Sequence, residues 1–453
     1  MYKTLFYLFI INFSFFCCTY YLGIERSFIN YDYIIVAILL AYNFKKTANL
    51  IFILIFIADI LICAQKIFPF YRFEDIAYIL KFLWISSIYY QILFFLLFFI
   101  IFLHIYISLK LEINKRITSY FFILFTLLFS FLEIKNVYFS NGDSNVYSKL
   151  IKSNLNEFIN LQFGLFNKAV TAEVEELQSL PQSLSTQLIR KQIEDGTAPN
   201  KVLFIIAESL GYPNNKLILN DMISPLLDKS EYLKDFKVSK ATYVGSTVQA
   251  ELRELCQKKP LNYNFRNLSN GFENCLPNQF KANGYETTVL HGALGIMYDR
   301  VYWYPKAGFQ NMIFRETKNW KKHCYSFPGA CDIEISKIIP EYMTNNKKTF
   351  FYWLTLNSHA IYDLRDLEID NFNCDKFKIK NHSESCRNLK LQTQFFSILA
   401  ELIDDPKMNG VKVILVGDHS PAIFNQNEKN LIFDGNNVML MEFKIQNDVV
   451  RKG

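Results

Sequence analysis

The chain has 453 residues, more than one ordinary domain, and 51% of them are hydrophobic, with 44 Phe and 27 Tyr. The apolar residues crowd ahead of Lys135, and the remainder has the polarity of a water-exposed protein. The net charge of +6 comes without any basic run interleaved with aromatics, which argues against a nucleic-acid partner.

Five apolar stretches lie in the first part: Leu5 to Leu22, Tyr33 to Phe44, Ala48 to Ala64, Ile76 to Leu109 and Ile117 to Ile134. A membrane helix needs about 20 apolar residues. The second stretch is short unless Phe28 to Asp32 joins it, so a core or re-entrant segment is the alternative. The fourth is too long for one crossing, and Ile76 to Trp84 can lie along the interface. Lys3, then Lys45 and Lys46, then Lys110, Lys115 and Arg116 mark alternate loops. Positive charge on the cytoplasmic side therefore places the N-terminus inside and everything after the fifth crossing outside. The first stretch lacks an A-x-A-like cleavage site, which disfavours a removed signal peptide. Asp59, a carboxylate inside an apolar stretch, is either functional or paired with a neighbouring segment.

Cys256, Cys275, Cys324, Cys331, Cys374 and Cys386 form three sequence-near couples in the outer part. That grouping reads as disulfides 256–275, 324–331 and 374–386 in an oxidising compartment such as a bacterial periplasm. Residues 136–200 are polar with helical periodicity and read as amphipathic helices linking a membrane anchor, 1–135, to an outer domain, 201–453. In that domain the apolar runs Val202 to Ala207, Glu286 to Leu290, Thr349 to Leu356 and Val411 to Val416 alternate with helical stretches. The expectation is an α/β domain with a largely parallel sheet.

Chemistry concentrates at the ends of these strands, where open α/β sheets place their sites. One strand ends at Glu208 and another at Asp418-His419, while Gly245-Ser246-Thr247-Val248-Gln249-Ala250-Glu251 brings hydroxyls between them. Carboxylates, an imidazole and a hydroxyl converging on one point suit a divalent cation that activates an alkoxide. Thr247 also stands where a helix begins, so capping is its plainer role, and its amide-rich helix start would favour an anion. Ser246 is the rival nucleophile.

These elements resemble the sulfatase-like branch of the alkaline phosphatase superfamily, closest to lipoteichoic acid synthases and phosphoglycerol transferases. Five motifs carry the resemblance, in order: Ala207-Glu208-Ser209, the G-x-T-x-x-A-E element, His291-Gly292 followed by Arg300 and Gly308-Phe309, Asn357-Ser358-His359, and Gly417-Asp418-His419. Tyr298 stands where that family usually has Trp. The cysteines are more like those of phosphoethanolamine transferases. The resemblance implies Thr247 as nucleophile; Glu208, Thr247, Asp418 and His419 around one Mn, Mg or Zn ion; and His291, Tyr298, Arg300 and His359 as substrate-binding residues. A structural His291/Arg300 pair and a packed His359 are the plain alternatives, and Tyr302 could wall the head group beside Tyr298.

The activity implied is transfer of a phospho-head-group from a membrane phospholipid to a surface glycan by a monomeric, multi-pass inner-membrane enzyme with a periplasmic catalytic domain. Phosphoglycerol is the favoured group. Phosphoethanolamine transfer to lipid A or another glycan, or phosphodiester hydrolysis, is the alternative. A sulfatase would need C-x-P-x-R, and Cys275-Leu276-Pro277-Asn278-Gln279 lacks the arginine. A non-catalytic regulator would have lost a ligand, and all four are present.

Overall fold

The structure, a computed structural model, describes residues 10–13, 15–17, 19, 26–67, 88–110, 120, 123–124, 127–128, 151–162 and 177–447, apart from 262, 264, 345–347 and 424. It divides into two compact units, Met1–Val170 and Thr171–Gly453.

In the first unit, α1 (Tyr33–Ala41), α2 (Lys45–Ile67), α3 (Ile88–Lys110) and α4 (Asn154–Gln162) are apolar or amphipathic helices. Helices α2 and α3 run antiparallel: Lys45 Nζ donates to Leu109 O, Ser108 Oγ to Asn49 Oδ1, and the His104 ring stacks on Phe52 at 3.4 Å. Among the described residues one helix, Lys45–Cys63, is long and apolar enough to cross a membrane, and Phe94–Lys110 is a shorter apolar helix. The first and fifth expected crossings lie largely outside the described residues. The second segment is the short alternative: α1 has nine residues, about 13 Å of helix, against a hydrocarbon core of about 30 Å. Polar Asn30 and Asp32 stop it from extending backward, and they are buried.

Asp59 takes the pairing role. Its carboxylate accepts from Arg26 Nη2 at 2.7 Å and Nε at 3.1 Å, from Tyr33 Oη at 3.1 Å, from Asn30 Nδ2 at 3.3 Å and from Asn154 Nδ2. Every face of a buried charge is thereby met, as an apolar setting requires.

The second unit is built on an eight-stranded sheet: β1 (Lys201–Ala207), β2 (Gly211–Pro213), β3 (Leu233–Thr242), β4 (Glu286–His291), β5 (Asn311–Ile313), β6 (Thr349–Leu354), β7 (Lys412–Gly417) and β8 (Phe433–Ile445). The order is β2-β8-β7-β1-β6-β4-β5, with β3 also on β8. Strands β7, β1, β6, β4 and β5 are parallel, whereas β8 runs antiparallel to β7, β2 and β3. The expected largely parallel sheet is therefore a mixed one, with a parallel core and an antiparallel flank. That flank escapes a reading by apolar runs because β3 interleaves Lys234, Asp235, Lys237 and Lys240 among its apolar positions.

All seven residues of β1 are buried, the signature of a strand covered on both faces. Leu203, Ile205 and Ala207 pack toward α6 (Lys216–Met222) and α10 (Glu384–Asp404), defined here with α5 (Leu184–Glu194), α7 (Thr247–Glu251), α8 (Leu276–Ala282) and α9 (Arg300–Ala307). Val202, Phe204 and Ile206 pack toward α5, α7, α8 and α9. Residues 177–194, whose polarity suggests a linker, instead pack inside this unit. Leu177 and Ile189 are core residues, and Arg190 donates to Leu255 O and Asn274 O. The three cysteine couples are disulfides 256–275, 324–331 and 374–386, as expected.

Candidate metal and nucleophile site

The parallel register fixes where the site forms. Ala207 pairs with Gly417, Leu354 with Ile206, and Leu354 with His291. The residues leaving these strands, Glu208, Asp418 and Thr355, therefore emerge at one edge of the sheet beside His291. Glu208 is held there by its neighbours: its N–H donates to Thr355 Oγ1, and its carbonyl accepts from Ser358 Oγ at 2.7 Å and Gln392 Nε2 at 2.9 Å. Gly417 is required at the last position of β7, because a Cβ there would lie 2.1 Å from Leu210 O.

Glu208, Asp418 and His419 each offer a ligand atom, and these atoms all lie within 4.8 Å of one another. His419 Nε2 is 3.5 Å from Glu208 Oε1 and 3.3 Å from Asp418 Oδ2. His419 donates Nδ1–H to Ser420 O at 3.0 Å, which leaves the lone pair on Nε2. Asp418 Oδ1 accepts the amides of Ser209 and His419 at 2.8 and 2.6 Å. Asp418 Oδ2 is buried and receives no hydrogen bond. Burial, followed by the charge of Glu208, pushes the Asp418 carboxyl up to about 7. Burial works against charge on His419, yet the Asp418 and Glu208 carboxylates together raise its pKa. Two carboxylates and an imidazole lone pair, one oxygen orphaned, form a pocket that a divalent cation satisfies.

Thr247 Oγ1 is 3.1 Å from Glu208 Oε2, so the hydroxyl joins this cluster. Thr247 is the first residue of α7 and Ser246 its N-cap; the Ser246 amide donates to Gln249 Oε1 at 2.8 Å. The preceding Gly245 has φ +88°, and a Cβ there would fall 1.7 Å from Gln249 Oε1, so this turn needs glycine. The Ser246 hydroxyl faces Tyr263. Of the two hydroxyls it is Thr247 that faces Glu208.

The remaining expected residues divide. His291 and His359 each turn Nδ1 onto a backbone carbonyl, Leu354 O at 3.0 Å and Ala360 O at 2.5 Å, which again leaves the lone pair on Nε2. Burial lowers both pKa values, with the Arg300 charge adding to the effect on His291. The His359 ring also packs against Phe327, 4.8 Å between centroids. Arg300 is not turned outward. It is 2% exposed and forks onto Glu251, with Nη2 at 2.7 Å and Nε at 3.1 Å from Oε2. Tyr352 and Tyr304 also donate to that carboxylate. The Tyr298 ring lies over the Arg300 guanidinium at 4.9 Å, and Tyr298 and Asp299 have φ of 56° and 54°. Two consecutive left-handed non-glycine residues store strain beside the site. Tyr302 is 38% exposed and packs on the Arg266 guanidinium at 4.7 Å.

Sequence reasoning assigns no role to three residues that hold this edge, although it names Glu251 within the G-x-T-x-x-A-E element. Glu251 anchors Arg300, Asp332 Oδ2 accepts the Leu356 and Asn357 amides at 2.8 and 2.7 Å, and Arg253 bonds the Asp418 carbonyl at 3.3 Å. A charged residue set among Leu252 and Leu255, whose side chains are buried, is the available signal for Arg253.

A family model described as Sulfatase matches residues 200–446, more than half of the chain, which therefore belongs to the sulfatase family of the alkaline phosphatase superfamily. The superfamily comprises metal-dependent phosphoryl and sulfuryl transferases and hydrolases. No curated protein matches the chain. Among solved structures, it is similar to the lipoteichoic acid synthase LtaP from Listeria monocytogenes, with 15% identity, a TM-score of 0.43, and 57% of this chain and 72% of that one covered. It is also similar to the phosphoglycerol transferase GacH from Streptococcus pyogenes in complex with sn-glycerol-1-phosphate, with 15% identity, a TM-score of 0.38, and 59% and 77% covered. The C-terminal periplasmic domain of EptC from Escherichia coli gives 13% identity, a TM-score of 0.36, and 59% and 77% covered.

Proposed function

We propose that this protein is a membrane-anchored, metal-dependent transferase that moves a phospho-head-group, phosphoglycerol favoured, from a phospholipid to an outer-surface glycan. The observation that carries the reading is the Thr247 hydroxyl 3.1 Å from Glu208, at the edge shared with Asp418 and His419. Glu208, Asp418 and His419 would hold a divalent cation, whose positive charge would lower the pKa of the Thr247 hydroxyl and offset charge on phosphoryl oxygens. Thr247 gives up its hydroxyl proton as Oγ1 bonds to phosphorus, the bond to the diacylglycerol oxygen breaks and that oxygen takes up a proton; an acceptor hydroxyl, losing its own proton, later displaces Thr247, which regains one.

His291 and His359, neutral and with free Nε2 lone pairs, are suited to take the proton of that acceptor hydroxyl. Tyr298 contributes an aromatic wall. Arg300, bound to Glu251, supports that wall and adds positive potential. The membrane anchor and a periplasmic location belong to the same reading, supported by the apolar first unit and the disulfides. Those disulfides favour a second reading, phosphoethanolamine transfer.

The test uses full-length protein in detergent with Mn2+ and labelled phosphatidylglycerol or phosphatidylethanolamine, followed by intact mass and peptide mapping. The expected result is a phosphoglycerol adduct on Thr247, absent from Thr247→Ala and retained in Ser246→Ala. A phosphoethanolamine adduct selects the second reading. No adduct and no diacylglycerol released with either lipid refutes both.

A further inference from the structure

The geometry points to Arg253 as a positioning residue that sets the nucleophile against the metal ligands, an inference that rests on the functional reading above. Arg253 lies six residues after Thr247, on the π-helical turn Leu252–Cys256 that continues α7. Its guanidinium sends bonds in three directions. Nη1 donates to Val244 O at 3.2 Å, Nη2 to Asp418 O at 3.3 Å, and Nε to Glu254 Oε1 at 2.6 Å. Val244 precedes the Gly245 turn into Thr247, and Asp418 is the ligand leaving β7. One side chain therefore joins the backbone that delivers the hydroxyl to the backbone that delivers the carboxylate.

The arrangement is itself held. The Arg253 and Glu254 side chains are 10% and 2% exposed, and the other Glu254 oxygen accepts from Ser185 Oγ at the start of α5. A buried guanidinium with a buried counter-charge is rigid, and its planar fork reaches three acceptors that a lysine ammonium cannot span together. The functional consequence follows from distances at the centre. Without this strut, the Gly245 turn keeps its own local bonds but loses its fixed distance to Asp418. A misplacement of about 1 Å in a reacting group costs about 10²-fold in rate. Neither the ligand atoms of Glu208, Asp418 and His419 nor the residues expected to bind substrate are bonded to Arg253, so metal affinity and KM should not move.

Single-turnover formation of the Thr247 adduct is measured on the full chain in detergent for wild type, Arg253→Lys and Arg253→Ala, alongside Mn2+ binding by calorimetry and thermal melting. The expected result is a roughly 10²-fold slower adduct rate in Arg253→Lys at unchanged KM and unchanged Mn2+ affinity, and a rate in Arg253→Ala that added guanidinium ion restores in part. Arg253→Lys reacting within twofold of wild type overturns the inference. So does a rate loss matched by an equal loss of Mn2+ affinity or of folded protein, because the residue is then merely structural. Wild-type protein that forms no adduct overturns the functional reading itself, and this inference with it. Because that arm is read on wild type alone, the two failures are distinguishable.

Discussion

Two regions of this molecule bury carboxylates, and they treat them in opposite ways. In the first unit Asp59 is met by the Arg26 fork, a tyrosine and two asparagines. At the sheet edge of the second unit, Glu208 and Asp418 share a pocket with one imidazole, and Asp418 Oδ2 accepts nothing. Glu251, although it belongs to the second unit, follows the Asp59 pattern with Arg300 and two tyrosines. Glu208 accepts only the neutral hydroxyls of Ser209 and Thr247, and no arginine among the described residues neutralises either carboxylate of this pair. The difference is one of counter-charge: Asp59 and Glu251 each meet an arginine fork, whereas Glu208 and Asp418 face each other with one imidazole between them, the arrangement expected of a cation site.

Removing a charge from the Glu208 and Asp418 pair should have the largest effect. In Asp418→Asn or Glu208→Gln, turnover should fall to below about one-thousandth of wild type, because several kcal/mol of charge stabilisation is lost. Thermal melting of chelated protein should meanwhile show the variant at least as stable as wild type, since like charges no longer face each other. Undiminished Mn2+ binding by the variants would remove the comparison's basis. Breaking an arginine-paired carboxylate should do the reverse. Glu251→Ala or Asp59→Ala strands a buried arginine and should cost about 3–5 kcal/mol of stability, whatever metal is added. A melt unchanged from wild type would show that these pairs carry no structural weight.

The smallest effect sharpens the comparison through pH. Asp332 is another buried carboxyl, pushed up to about 7 chiefly by burial. Its folded-state pKa stands above the ordinary value of 3.8, so the folded protein keeps a proton that the unfolded chain releases. Stability from this group is complete below about pH 4 and is lost as pH rises to about 7, at roughly 1.4 kcal/mol for each step of one in pH. Asp332→Asn should gain on wild type across that window, by a few kcal/mol at most, in denaturant titrations at a series of pH values. Parallel pH curves for the two proteins would place the buried charge elsewhere.

Much of this is legible in the sequence because the parallel core is made of continuous apolar runs, and Glu208, Thr247 and Asp418-His419 sit at or between their ends. The disulfide couples are legible for a similar reason: each is local in sequence. What stays hidden depends on distant pairing. Strand β3 carries lysines because it lies at an edge of the sheet, and that composition resembles a loop. Leu177 and Ile189 belong to the core of the second unit, yet their polar surroundings read as a tether. Arg300 has the look of a free anion-binding fork, since nothing in the spacing reveals that Glu251, forty-nine positions earlier, turns toward it. For Arg253 the flanking Leu252 and Leu255 can signal burial but not role, because two of its acceptors are main-chain carbonyls, which every sequence has.

The separation of the candidate metal ligands along the chain has a consequence for biogenesis. The disulfides close loops with sequence separations of 19, 7 and 12, so each can be made as soon as its own segment emerges. Glu208 must instead wait for Asp418 and His419, and β7, which leads into them, has a neighbour on its second side only once β8 is synthesised. A nascent chain thus acquires its oxidised crosslinks early and its complete cation pocket last. A truncated product would be crosslinked yet unable to take up metal, which separates stalled chains from finished enzyme by a single loading assay.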